Sequence, residues 1–329
     1  MSGISYKGAG VDAAAADRWL EGLRAKLPAI GGFAALFPLA DALKGLEDPA
    51  LVSCVDGVGT KVLVARAANN FSTVGQDCVA MVLNDMVCCG ARPLFFLDYL
   101  AVAKFDEAQA DQLIEGLRLA CDACGCALVG GETAELPGLL APGEFDICGF
   151  AVGIVDRKRA LPRADLRAGD LVIGLPSSGV HSNGLSLARR ALPEYATDAE
   201  LRRELLTPTR LYVRPVLEAL AKHDIKAIAH ITGGGLPGNL CRVLPPDVDA
   251  QLFSGNWPVP TIFHRIAEAG GIARPEMFET FNMGLGLCLV APPDAAPALA
   301  ESLAGEGARI VGQLEPGTGK VKVDELVFA

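Results

Sequence analysis

The sequence predicts an α/β (α+β) chain in two halves, and three observations carry that prediction. Short apolar, β-branched runs alternate with stretches of helical period. Several of the strand-like runs end in glycine-rich segments, where ligand sites of open α/β sheets usually lie. A polar, proline-containing stretch from Asp156 to Asp170 separates two apolar regions, each with its own strands and helices, and divides an N-terminal domain, 1–162, from a C-terminal one, 168–329.

In chain order, the runs that read as buried strands are Leu51–Val55, Leu94–Leu97, Ala127–Val129, Ile147–Val155, Leu171–Leu175, Ala227–Ile231, Leu285–Val290 and Arg309–Leu314. Gly75–Met86 reads as a helix that carries Asp77, Asn84 and Asp85 into an otherwise apolar surface. The best-signposted helix starts at Asp106, with Gln109 in the capping-box position. Its stripe runs Ala110, Leu113, Ile114, Leu117, Cys121, Cys124, and Gly125 stops it. Further helical faces are Tyr212, Val213, Val216, Leu217, Leu220 and, behind Pro258 and Pro260, Ile262, Phe263, Ile266, Ala269.

The 329 residues carry 39 acidic against 29 basic side chains, a formal charge of −10. Such a chain repels polyphosphate backbones and anionic membranes, which argues against nucleic-acid and membrane partners. A small phosphorylated ligand held by local groups and Mg²⁺ remains compatible. Ten Cys without a secretory leader read as reduced thiols of a soluble, cytoplasmic protein. Cys121, Cys124 and Cys126, and the Cys88-Cys89 pair, read as core packing, because no second metal-ligand pair lies near them.

Five segments could carry chemistry. Asp56-Gly57-Val58-Gly59-Thr60-Lys61 follows a strand and supplies backbone N–H groups, a cation and a carboxylate; an ordinary glycine turn with a solvated Lys61 accounts for it equally well. Asp77 and Asn84 share a helix face about 10 Å apart, so they cannot ligate one cation unaided. Asp77 can be a first-turn charge, whereas Asn84-Asp85 in an apolar run calls for a partner, and Mg²⁺ with nucleotide phosphate is one. Gly130-Gly131-Glu132-Thr133-Ala134-Glu135 reads either as a strand-end site or as a tight turn leading into a helix. His181, in Ser177-Ser178-Gly179-Val180-His181-Ser182-Asn183-Gly184, is the best proton carrier available near neutral pH. Thr232-Gly233-Gly234-Gly235-Leu236-Pro237-Gly238 fits a dinucleotide fingerprint, but no acid follows about 20 residues on; a cradle for one phosphate is what survives.

Taken in order, these segments resemble the aminoimidazole ribonucleotide synthetase family, of the superfamily shared with selenophosphate synthetase and thiamine-monophosphate kinase. The likeness spans Ser5-Tyr6-Lys7, Ala9-Gly10-Val11-Asp12, Asp56–Lys61, Asn84-Asp85, Pro93–Tyr99, Leu128–Glu135, His181–Gly184 and Ala229–Gly235. It implies a two-domain ATP-binding fold: an N-terminal mixed sheet with helices, forming a β-barrel in a homodimer, and a C-terminal α/β domain that binds substrate. It also implies the ATP-dependent cyclisation of formylglycinamidine ribonucleotide to aminoimidazole ribonucleotide. By resemblance, Asp56, Asp85 and Glu132 hold Mg²⁺. Gly57, Gly59, Thr60, Lys61, Gly130 and Gly131 meet ATP phosphates. His181, Lys61 and Asp85 are the catalytic set, Ser182 and Asn183 orient substrate, and Thr232, Gly233, Gly234 and Gly235 hold its 5′-phosphate. Two departures stand out: Val55 occupies a place where many relatives have Thr, and Ala29–Ala34 is shorter than the family's usual Gly-rich segment. A kinase of the same fold, like thiamine-monophosphate kinase, is the alternative; it would leave the phosphoryl group on its acceptor.

Overall fold

The computed structural model describes residues 18–23 and 34–328. Ser5–Asp12 and most of Ala29–Ala34 lie outside the described residues. Two sheets organise the chain. The first contains Pro49–Gly57 (β1), Arg92–Val102 (β2), Ala127–Glu135 (β3) and Phe145–Asp156 (β4), in the spatial order β1-β4-β2-β3. Both β1 and β2 run antiparallel to β4, and β3 runs parallel to β2.

Alternation gives this sheet two different faces. One face is covered by the helices Val74–Cys88 (α2) and Glu107–Cys124 (α3), and Lys61–Ala68 (α1) packs beside α2. The other leaves Leu51, Val55, Tyr99 and Phe150 exposed, although all four are large and apolar. Helices α2 and α3 approach closely through glycine: a Cβ on Gly116 would sit 2.9 Å from Ser72 O, and one on Gly75 would collide with the backbone of Leu113–Leu117. The α3 ends match the sequence expectation. Asp106 accepts from the Gln109 N–H at 2.9 Å, Gly125 is left-handed at φ 67°, and the predicted stripe is buried.

The second sheet contains Leu171–Pro176 (β5), Ala227–His230 (β6), Val248–Leu252 (β7), Leu285–Ala291 (β8), Arg309–Pro316 (β9), Val321–Val323 (β10) and Leu326–Phe328 (β11), ordered β11-β10-β7-β9-β5-β8-β6. Leu185–Ala191 (α4), Ala199–Leu205 (α5), Val213–Leu220 (α6), Gly235–Leu240 (α7), Thr261–Gly270 (α8), Arg274–Thr280 (α9) and Ala296–Ser302 (α10) accompany it. Every predicted strand run falls on an observed strand. The unpredicted β7, β10 and β11 are short, and Asp249, Gln251 and Lys322 interrupt the apolar pattern that would have announced two of them.

The halves are stitched together by residues 206–212, which lie along the polar stripe of α2. Thr73 Oγ1 donates to Leu206 O at 3.1 Å, Gln76 Nε2 to Thr209 O at 2.9 Å and Asn84 Nδ2 to Arg210 O at 2.9 Å. Asp77 Oδ1 accepts from Thr209 N and Oγ1, both at 2.7 Å, and Asn84 Oδ1 accepts from Tyr212 N at 3.0 Å. Thr73, Gln76, Asp77 and Asn84 recur at helical spacing on one face, so a helix that looks too polar for its surroundings has its partners in the other half of the chain.

Candidate active site

The loop after β1 is the first component. Asp56, next to last in the strand, lies on the helix-covered face, and its Oδ1 accepts from the Gly57 N–H at 2.7 Å. Gly59 is left-handed at φ 64°, which lets the chain turn directly into α1. Val55 points to the opposite, exposed face, so a hydroxyl there would be aimed away from Asp56.

The register places Asp56 level with Gly149, Asp98 and Gly131 across the sheet, on one face. Burial raises Asp56 above its usual carboxylate value; the Gly57 N–H opposes the shift, Asp85 adds to it and His230 opposes it. Asp98 is pushed up to about 7, chiefly by burial, and neighbouring Glu132 adds to the shift. A Cβ on Gly131 would collide with Asp98 Oδ1, so that glycine is where the carboxylate lies over the backbone.

Asp85 approaches from α2 and meets the second half of the chain. Its Oδ1 pairs with His230 Nδ1 at 2.7 Å, while Asn84 Nδ2 lies 3.4 Å from His230 Nε2. The amide N–H makes Nε2 the acceptor, so the ring's proton sits on Nδ1 and points at Asp85. His230 is 4% exposed at the end of β6, and it fixes one carboxylate oxygen of Asp85.

The third component is the loop 177–184 between β5 and α4. This loop and the start of α4 press on the β1 loop: Ser182 O would lie 3.9 Å from a Cβ on Gly59, and Ser186 Oγ, in α4, is 3.1 Å from Thr60 Oγ1. His181 is buried in the left-handed region at φ 61°. Burial takes its pKa well below 6.5, and neighbouring His230, Lys61 and Arg210 push the same way. Its Nε2 accepts from the Ser178 N–H at 3.1 Å, which leaves Nδ1–H as a buried donor without a partner among the described residues. A neutral ring with one fixed N–H is a hydrogen-bond donor rather than a shuttle.

Thr232–Gly235 completes the arrangement. Asn239 braces this loop by donating to Gly233 O at 3.2 Å and Gly235 O at 2.7 Å, and Thr232 Oγ1 donates to its Oδ1 at 3.1 Å. A Cβ on Gly233 would lie 3.4 Å from Asn183 Oδ1, so this loop and the loop 177–184 are neighbours. Gly235 itself packs against the backbone of Phe278, where a side chain would collide.

Several expectations need correction. Lys61 does not face a phosphate: it is fully buried, its Nζ pairing with Asp77 at 2.8 Å and donating to Thr207 O at 2.7 Å. Gly130 and Gly131 form no turn, because β3 runs straight through them with a register shift opposite Phe96/Leu97. Glu132 pairs in register with Tyr99, which lies on the sheet face opposite Asp56 and Asp98. Glu132 therefore leaves the sheet on the side away from Asp56, while staying near enough to Asp98 to raise its pKa. Among the described residues, no three His, Cys, Asp or Glu side chains form a ready-made metal cage. Cys121, Cys124 and Cys126 are buried free thiols, as expected, while Cys88 and Cys89 are half-buried and also free. The reading of the sequence missed roles for Asp98, His230 and Asn239. An acid inside the apolar Leu94–Val102 run was a signal of the same kind as Asp85.

Comparison with known proteins first defines the class. The family model described as AIR synthase related protein, N-terminal domain, matches residues 39–155, and its C-terminal counterpart matches residues 167–324. Solved structures share the fold: thiamine-monophosphate kinase from Stenotrophomonas maltophilia has a TM-score of 0.63 at 22% identity, covering 84% of this chain and 86% of that one. A hydrogenase maturation protein HypE solved with ATP has a TM-score of 0.68 at 17% identity, covering 93% and 91%. Closer in sequence is the phosphoribosylformylglycinamidine cyclo-ligase of Carboxydothermus hydrogenoformans, 44% identical over 346 residues, covering 99% of this chain and 100% of that one. The protein of the same name from Anaeromyxobacter sp. is 47% identical over 337 residues, covering 96% and 97%. The chain belongs to the phosphoribosylformylglycinamidine cyclo-ligase family.

Proposed function

We propose that the chain closes the imidazole ring of formylglycinamidine ribonucleotide at the expense of ATP, giving aminoimidazole ribonucleotide, ADP and phosphate. One observation carries this reading: the carboxylate-bearing segment of the first half (Asp56–Thr60) meets the substrate loop 177–184 of the second and the start of α4 that follows it, with the Asp85–His230 pair joining the halves beside Asp56. The near-full-length likeness to cyclo-ligases supports the same substrate.

Formamide oxygen is a poor leaving group, so the γ-phosphoryl group of ATP is transferred to it, and the formyl carbon becomes electrophilic. The ribose-bearing nitrogen attacks that carbon and loses its proton, and phosphate departs with the former formyl oxygen. Such chemistry rests on positioning and charge neutralisation. The Gly57–Thr60 loop and the start of α1 would receive phosphate oxygens. The Nδ1–H of His181 would donate to the formyl oxygen, Ser182 and Asn183 would orient the substrate, and Thr232, Gly233 and Gly234 would hold its 5′-phosphate.

Mg²⁺ fits the donor set. Asp56 and Asp85 are neighbouring oxygen donors, and each raises the cost of charge on its surroundings. Mg²⁺ characteristically takes one or two carboxylates plus substrate phosphates rather than an all-protein cage. Bound there, it would neutralise triphosphate charge. The exposed apolar face of the first sheet supports a homodimer built on that face. Among the described residues, no helix is long and apolar enough to cross a membrane. We place the enzyme in the cytoplasm and keep the domain division at 162/168.

The test is incubation of the purified protein with formylglycinamidine ribonucleotide and Mg-ATP. One aminoimidazole and one free phosphate per ADP are expected. A phosphoryl group retained on the acceptor would instead identify a kinase.

A further inference from the structure

Thr209 joins the buried ion pair to the substrate loop, and the count of its hydrogens fixes a polarity. Its Oγ1 lies 2.7 Å from Asp77 Oδ1 and 3.1 Å from Ser182 Oγ. Asp77 Oδ1 also accepts from Lys61 Nζ at 2.8 Å and from the Thr209 N–H at 2.7 Å, so towards Thr209 Oγ1 it acts as an acceptor. A hydroxyl has one hydrogen. The hydrogen of Thr209 goes to Asp77, and the contact between Thr209 and Ser182 is made with the hydrogen of Ser182. Ser182 then has no hydrogen left to offer and presents lone pairs alone.

We infer that Ser182 is a fixed hydrogen-bond acceptor that selects a donor on the ribonucleotide substrate, an amidine N–H or a ribose hydroxyl, and that Thr209 is a positioning residue acting through it. The chain Lys61, Asp77, Thr209, Ser182 thus starts at the first residue of α1, directly behind the proposed phosphate loop, and ends in the loop of residues 177–184. The inference rests on the reading that this loop contacts substrate. Its consequence is selectivity: with Asp77 as terminal acceptor, the serine hydroxyl cannot rotate to satisfy a carbonyl, and an analogue with an acceptor in place of the donor meets lone pairs on lone pairs.

The test uses the full-length enzyme and the variants Thr209→Val, Thr209→Ser, Ser182→Ala and the double variant Ser182→Ala/Thr209→Val. The constants kcat, KM for formylglycinamidine ribonucleotide and KM for ATP are measured separately. Loss of one neutral hydrogen bond corresponds to roughly a fivefold to tenfold change. Thr209→Val is expected to raise KM for the ribonucleotide by about that factor and to leave KM for ATP within about twofold. Thr209→Ser, which restores the hydroxyl, returns both constants to wild-type values. Ser182→Ala raises the same KM, and the double variant raises it no further. Partial unfolding of a variant would lower kcat through the active fraction without moving KM. Wild-type protein that makes no aminoimidazole would overturn the functional reading and this inference with it. A cyclising wild type with an unchanged ribonucleotide KM in Thr209→Val, equal effects on both KM values, or additive effects in the double variant would overturn the inference alone.

Discussion

Replacing Lys61 with Met tests the ion pair that the sequence presented as a phosphate ligand. Methionine keeps much of the length of the side chain and removes the charge and both donated bonds, to Asp77 and to Thr207 O. The Asp77 carboxylate then remains fully buried with, among the described residues, only the Thr209 N–H and O–H as partners for Oδ1 and none for Oδ2. Breaking a buried pair from one side costs about 3–5 kcal/mol. At about 2 cal/mol/K per residue, the unfolding entropy of a 329-residue chain is about 0.7 kcal/mol/K, so the variant should melt about 4–7 °C below wild type. The double variant Lys61→Met/Asp77→Asn removes both charges and should recover at least half of that loss. Scanning calorimetry at one fixed scan rate reads all three proteins. A single variant that melts with wild type but binds ATP weakly would refute the structural role and return Lys61 to the phosphates.

Four further outcomes are expected. Asp85→Ala should abolish ATP turnover and leave the melting temperature within a few degrees of wild type, because the carboxylate is partly exposed; normal cyclisation would remove Asp85 from the metal site. Gly286→Ala places a Cβ against the Tyr212 hydroxyl and 2.7 Å from His181 Cε1, and should cost about 1–3 kcal/mol in a denaturant titration. Val55→Glu, on the exposed sheet face, should convert a dimer to monomers in sedimentation analysis, with an unchanged circular dichroism spectrum. For Asp249, burial alone would raise the pKa, but the Thr318 and Lys320 N–H groups and the Lys322 ammonium together lower it from 3.8 to about 2. A lowered native value means that Asp249 stabilises the fold above the ordinary value and loses that contribution as pH falls from about 4 to about 2. Asp249→Asn should flatten that part of the stability curve.

Local signals in the sequence were sufficient for most of the architecture. The Asp106 cap and the Gly125 stop act within one turn of the helix they bound, and β-branched runs such as Ile147–Val155 report their own burial. What was hidden lies between distant residues. Nothing near Lys61 shows that its ammonium will be enclosed by Thr207, 146 positions away. Strand register likewise decides that Glu132 leaves the face that holds Asp56, and the register depends on a bulge in the β2–β3 pairing that composition does not reveal. His230 needed Asp85 beside it to be recognised, at a separation of 145 residues. The chemistry-bearing residues of the α2 stripe were legible as anomalies. Their explanation as stitches to 206–212, with only Asp85 left for the site, required three dimensions.

The stitching of 206–212 to α2 has a consequence for how the chain is made. Asn84 leaves the ribosome long before Tyr212, to which it is bonded across a separation of 128 residues. At about 5–20 residues per second, that interval is roughly 6–26 s. Throughout it, Thr73, Gln76 and Asn84 lack their partners in 206–212, and Asp77 has Lys61 but not Thr209, so the polar face of α2 cannot be sealed into a dry core. The first sheet, complete at Asp156, can pair early, but the packing of α2 waits for a segment of chain not yet synthesised. A ribosome paused between these points would hold a protein with an open polar seam, a natural place for a chaperone to bind and an early target for a protease.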